Sequence, residues 1–147
     1  MQITRYTDYS LRVLIFLSLQ EEGQRLTITN IADHFNIPRN HLVKVVHKLG
    51  QLNYVHTTRG KNGGLRLQVP ASQIYIGEVV SLMENTLDVI DCNSPSPCPL
   101  TPDCTLKSIL HRATKAFINE LNQYTIADLQ QKPDQLKTLL HIQSISN

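Results

Sequence analysis

The stretch ITNIADHFNIPRNHLVKVVHKLG, residues 28–50, decides the fold. Ile28, Ile31, Ala32 and Phe35 recur at helical spacing. Thr27 or Thr29 can cap that segment, because a short hydroxyl side chain satisfies a free backbone N–H at a helix start. Asn36-Ile37-Pro38 leaves room only for a tight connection, and Pro38, with φ preset and no N–H to lose, suits the opening of the next helix. In that next helix Leu42, Val45, Val46, Leu49 and Leu52 form an apolar face, while Arg39, Asn40, His41, Lys44, His47 and Lys48 fall on the other. Two short helices joined in this way, the second basic and polar at its start, make a helix-turn-helix.

Working outward, Tyr54–Thr58 and Leu65–Val69 read as strands, the second with clear alternation, around the turn RGKNGG at 59–64. Asn-Gly and Gly-Gly accept the positive φ of hairpin turns. A hairpin directly after a recognition helix is a wing, and its basic tip can reach phosphates or a minor groove. The glycines lack the strand–loop–helix context and GK[ST] ending of a nucleotide-binding loop. Upstream, residues 6–20 predict a helix with Val13, Leu14, Phe16 and Leu17 on its apolar face. Downstream, residues 74–85 predict another. The longest helical pattern, 105–124, carries Leu106, Leu110, Ala113, Phe117, Leu121 and Tyr124 in a near-heptad stripe. Such a stripe serves a dimer or packs on its own domain; winged helices pair on palindromic sites, which favours the dimer. Residues 125–131 read as a short final helix.

The expected fold is therefore mainly α with a small β-hairpin wing: a winged helix-turn-helix domain plus a long C-terminal dimerisation helix. The expected divisions are a DNA-binding domain at 1–75, a cysteine loop with dimerisation helices at 76–131, and a tail at 132–147.

Charge is distributed unevenly. Residues 34–77 hold six Lys/Arg and four of the six histidines without one carboxylate, whereas residues 78–104 hold five acids and no Lys/Arg. A 44-residue acid-free block points to a polyanion partner. No apolar run is long enough to span a membrane. The start of the chain, interrupted by Arg5, Asp8 and Arg12, does not read as a secretory signal. A cytoplasmic protein with reduced thiols is expected, and an odd cysteine count argues against a disulfide framework.

All three cysteines and four of the seven prolines lie in DCNSPSPCPLTPDC, residues 91–104. The C-x5-C-x5-C spacing is wider than zinc knuckles use. A proline-stiffened loop of this length can wrap something broader than one ion, and iron–sulfur clusters need thiolates spread around several metal atoms. Three cysteines leave one position open. Zinc held with His111, or a reversible disulfide switch, are the competing readings.

The order of winged helix, cysteine loop and long helix resembles the iron–sulfur winged-helix transcription regulators, and within them the nitric-oxide-sensing branch. The resemblance is carried by TRYTDYSLRVL at 4–14, RNHLVKVVHKLG at 39–50, RGKNGG at 59–64, IGEVV at 76–80 and YTIADL at 124–129, and fades after about residue 131. It implies a homodimeric repressor, not an enzyme, that binds double-stranded operator DNA with a [2Fe-2S] or [4Fe-4S] cluster bound, and releases it when nitric oxide attacks the cluster. It implies Cys92, Cys98 and Cys104 as iron ligands. It further implies a carboxylate ligand from the first helix of the partner subunit, a role that Asp8 fits. The iron–sulfur-assembly branch uses a histidine instead, which keeps His111 open. The expected DNA contacts are Arg39, Asn40, His41, Lys44 and Lys48 on the helix, and Arg59, Lys61 and Asn62 on the wing. The reading from a different class, a cluster-bearing redox protein, leaves the acid-free block and the wing without a purpose.

Overall fold

The computed structural model describes residues 2–21, 24–61, 63–92, 95–96 and 98–142. Helix α1 (Arg5–Ser18) is capped by Thr4, whose hydroxyl accepts from the Thr7 N–H at 3.3 Å. Helix α2 (Ile28–Phe35) starts at a reciprocal capping box. The Asn30 N–H donates to the Thr27 hydroxyl at 3.2 Å, and the Thr27 N–H donates to the Asn30 side chain at 2.9 Å. Thr27 is thus the cap, and Thr29 serves elsewhere. Asn36 ends α2 in the left-handed region at φ 52°, a conformation that asparagine tolerates. Pro38 stands at the N-cap of α3 (Arg39–Gln51), one position before the helical residue that the sequence expects it to be.

Strands β1 (Val55–Thr58) and β2 (Gly64–Leu67) pair antiparallel, Val55 opposite Leu67 and Thr58 opposite Gly64. A Cβ at Gly63 would collide with the Thr58 carbonyl, so the turn closes only on glycine. The Leu65 N–H donates to the Leu26 carbonyl at 2.8 Å, which pins the wing to the connection between α1 and α2.

Helix α4 (Ile76–Met83) precedes the cysteine segment, and α5 (Thr105–Leu121) follows it. Residues 125–131 form a 3-10 turn at Ala127–Gln130 rather than an α-helix. A further helix, α6 (Pro133–Leu139), lies in the stretch for which the sequence predicts no element. Two backbone bonds clamp the two ends of the α4–α5 unit together: Ile76 N–H to the Tyr124 carbonyl at 3.0 Å, and Ile126 N–H to the Ile74 carbonyl at 2.9 Å.

One hydrophobic core runs through these elements. Val13, Leu14, Phe16 and Leu17 of α1 meet Ile31, Leu42, Val45, Val46 and Leu49 of the helix-turn-helix, Val55 and Leu65 of the wing, and Val79 and Met83 of α4, with Ile74 and Ile126 beside them. Helix α5 lies outside this core and packs on α4. Its near-heptad stripe divides. Leu110, Phe117 and Leu121 are half-buried, whereas Leu106 and Tyr124 are 57% and 49% exposed. The apolar face that points away from the chain is Leu106, Ile109, Ala113 and Ala116.

Close approach of α4 and α5 depends on one glycine. A Cβ on Gly77 would lie 2.5 Å from both the Ile118 carbonyl oxygen and the Asn122 side-chain oxygen. The carbonyl cannot swing aside. Gly77→Ala is expected to lower unfolding stability by about 1–3 kcal/mol in chemical denaturation, the usual cost of overpacking.

Tyr54, at the entrance to the wing, has its pKa raised to about 12 by burial first, and then by the charge of Glu78 and a hydrogen bond to it. The protonated phenol is favoured in the fold. Its contribution to stability is complete below the ordinary tyrosine value of about 10 and is lost as pH rises through the folded value. Spectrophotometric titration is expected to show one tyrosine ionising near pH 12. That step should be missing in Tyr54→Phe.

Candidate functional site

Arg39, Asn40, His41 and Lys44 are exposed along the first turns of α3, and Lys48 is half-buried one turn further on. No side chain caps this helix, so its first N–H groups add to the positive charge at its start. Arg39 lies beside α2 and donates from Nε to the Thr29 hydroxyl at 3.3 Å. The His41 ring stacks on Tyr9 of α1, centroids 6.2 Å apart. The Tyr6 hydroxyl donates to the Lys44 carbonyl at 3.2 Å, and burial raises its pKa. Helix α1 therefore holds the basic helix from behind at two points. On the wing, Arg59 and Lys61 are exposed at the turn. Asn62 lies outside the described residues.

The second part of the site is a cleft of about 910 Å³ between the cysteine segment and α5. Cys92, Cys104, His111, Asp91 and Asp103 line it. Cys104 is the N-cap of α5, and its Sγ accepts from the Lys107 N–H at 3.4 Å. The Cys98 N–H donates to the Cys92 carbonyl at 3.1 Å. Cys98 itself is exposed and not among the residues lining the cleft. Among the described residues, no three His, Cys, Asp or Glu side chains meet closely enough to share a single metal ion.

The donor chemistry of this loop nevertheless fits an iron–sulfur cluster. Cys92 and Cys104 bring sulfur, the ligand type that such clusters take, to a space far wider than one coordinated ion, and Cys98 lies on the same loop outside it. Thr101, on the cleft wall, has a buried hydroxyl without a hydrogen-bond partner, a polar atom left unpaired beside this space.

Asp8 does not line this cleft. It sits on α1 in a bidentate pair with Arg12, 3.0 Å from Nε and 2.8 Å from Nη2. Arg12 also lies over the Phe35 ring, 5.9 Å from its centroid. The i,i+4 spacing of Asp8 and Arg12 is a signal that sequence reading could have used. The ties of Tyr6 and Tyr9 to α3, and of Glu84 to α1, join residues far apart in the chain and leave no local signature.

These elements define a winged-helix regulator with a cysteine-bearing segment beside α5. The chain belongs to the Rrf2 family: the family model described as "Iron-dependent Transcriptional regulator" matches residues 3–132. It is 42% identical, over 98% of both chains, to a curated relative from Shouchella clausii named HTH-type transcriptional regulator NsrR. It is 43% identical to one of the same name from Bacillus licheniformis, over 95% of this chain and 99% of that one. Among solved structures, the oxidised form of Staphylococcus aureus CymR superposes with a TM-score of 0.70 at 25% identity, over 89% of this chain and 97% of that one. The protein is thus a transcriptional regulator. Among the described residues, no helix is long and apolar enough to cross a membrane.

Proposed function

We propose that this protein is a nitric-oxide-responsive repressor, active as a cytoplasmic homodimer on operator DNA. The observation that carries the reading is the position of the cysteine segment. Thr86, Asp88 and Val89 border both the cysteine cleft and a second cavity of about 220 Å³, which Gln2, Ile3 and Phe117 also line. The stretch that leads into the segment thereby lies between α5 and the residues just before α1, the helix that supports α3. The names of the close relatives support the same reading.

In this reading Cys92, Cys98 and Cys104 hold the cluster, [2Fe-2S] or [4Fe-4S], and the partner's Asp8 completes it. A bound cluster would supply iron atoms with which nitric oxide reacts. The chain's own residues do the rest. Leu106, Ile109, Ala113 and Ala116 pair α5 with its copy across a two-fold axis. Arg39, Asn40 and His41 face base edges at the helix start, while Lys44, Lys48, Arg59 and Lys61, with Asn62, serve the backbone and the neighbouring groove. With the cysteine segment anchored, the two heads keep the separation of half-sites one helical turn apart. A slack segment lets them drift off that register. His111, on the cleft wall where Asp8 is absent, favours a second reading, in which the fourth ligand comes from the same chain and the regulator answers to iron–sulfur supply or redox state.

Serine at Cys92, Cys98 or Cys104 keeps the side-chain size but removes the soft ligand. Each variant is expected to lose visible absorbance and tight operator binding while remaining folded by circular dichroism. Full absorbance together with repression would remove that cysteine from the ligand set. Asp8→Ala and His111→Ala, made in parallel, separate the two readings: the true ligand's loss changes the spectrum and the rate of reaction with nitric oxide.

Arg39→Ala is expected to cost about 1–3 kcal/mol on operator DNA and much less on random DNA, as a base-reading arginine does. Lys61→Ala is expected to weaken all sequences alike and to lower the salt slope of log K by about one unit. Fluorescence anisotropy over a salt series reads both.

A further inference from the structure

Glu84 is the residue at which the chain leaves α4 in extended conformation, φ −78° and ψ 138°, toward the cysteine segment. Its carboxylate does not face solvent alone. A single oxygen, Oε1, accepts from the Thr4 N–H at 2.7 Å, the Thr4 hydroxyl at 3.1 Å and the Thr7 hydroxyl at 2.5 Å. Thr4 is the N-cap of α1, and Thr7 is fully buried. A carboxylate at this place gains from the positive end of α1 and from charge-assisted bonds, which are shorter and stronger than neutral ones. Eight residues after Glu84 comes Cys92, and Thr86–Val89 between them line the cavity beside Gln2 and Ile3. On the other side of the same two turns of α1, Tyr6 bonds to the Lys44 carbonyl and Tyr9 stacks on His41.

We propose that Glu84 is a positioning residue that ties the anchored or slack state of the cysteine segment to the placement of α1, and through Tyr6 and Tyr9 to α3. This rests on the repressor reading above. The physical argument is one of leverage. The bonds span about eighty residues of sequence and fasten the hinge of the sensing segment to the start of the helix behind the reading head. A shift in the hinge either drags α1 along or breaks three bonds to one oxygen. Without Glu84, α4 and α1 still share core contacts, yet the polar link from the hinge to the helix start is gone. The two ends of the molecule then respond independently.

The experiment compares operator affinity of the cluster-loaded and cluster-free forms for wild type, Glu84→Ala, Glu84→Gln and Thr7→Val, each loaded form checked by iron content and absorbance. Hydrogen exchange at the start of α1 is followed in parallel. The expected result is that Glu84→Ala loads its cluster normally, but the loaded-to-free affinity ratio falls by about tenfold or more, within the range of ordinary coupling between sites. Exchange at the Thr4 and Thr7 amides should quicken. Glu84→Gln, which keeps an accepting oxygen in place, should retain most of the ratio. Thr7→Val, which removes the buried one of the three bonds while the two from Thr4 remain, should lower the ratio in the same direction by a smaller factor, and it decides the matter if Glu84→Ala does not fold. An unchanged ratio in both Glu84→Ala and Thr7→Val overturns the proposal, as does failure of folded Glu84→Ala to load, which makes Glu84 a support of the cluster loop. A wild type whose two forms bind operator equally overturns the repressor reading itself, and is told apart by that control alone.

Discussion

Helix α1 is squeezed between the reading head and the rest of the molecule, and this packing is the constraint on which the other elements depend. Val13 and Leu14 are wholly excluded from water and Phe16 almost so. Each large apolar side chain buried in this way contributes roughly 1.5–3 kcal/mol. The same helix packs on α3, on α4 and on β2. Protein interiors are close-packed and do not deform continuously, so a displaced α1 shifts its neighbours as bodies rather than being absorbed locally. Helix α1 thus touches both α3 and α4, the helix that leads into the cysteine segment, and a shift at either one bears on it.

Polar contacts on α1 differ in strength according to their surroundings, and the difference suits a regulator. Asp8 and Arg12 pair at the surface, their side chains 37% and 43% exposed, and such pairs are worth about 0–1 kcal/mol. Asp8 can therefore exchange its partner at little cost, as the ligand role proposed for it requires. The Glu84 bonds to Thr4 and Thr7 lie against the buried hydroxyl of Thr7, where losing one partner leaves another unsatisfied. One contact is easily remade and the other resists change, so movement at the first need not loosen the second.

What the sequence made legible was set by how local each signal is. The helix-turn-helix could be read because its caps, turn and apolar spacing lie within a few residues: Thr27 with Asn30, Asn36 at positive φ, Pro38 before α3. The wing followed from glycines that only a tight turn requires. The stripe on α5 was misread as a single face because a heptad count does not say which side α4 takes; Gly77, by letting α4 approach Ile118, turns Leu110 and Phe117 inward and Ile109 outward. The 3-10 turn at Ala127–Gln130 and helix α6 had no strong periodicity to announce them. Glu84 was visible only as one acid among five in an acidic stretch, since its partners lie at the opposite end of the chain.

The N-terminus of α5 adds a last link between sulfur chemistry and structure. Helix caps are usually oxygen, and a neutral thiol is a weak acceptor. Cys104 nevertheless occupies that position and faces the Lys107 N–H. A sulfur carrying negative charge, as a metal ligand does, accepts more strongly and also suits the positive end of the helix. Helix α5 has no fully buried residue of its own, so it draws less order from the core than α1 or α3. Its order rests on its packing over Gly77 and on the cap at Cys104. A change at Cys104 therefore acts directly on the start of the helix proposed to join the two subunits.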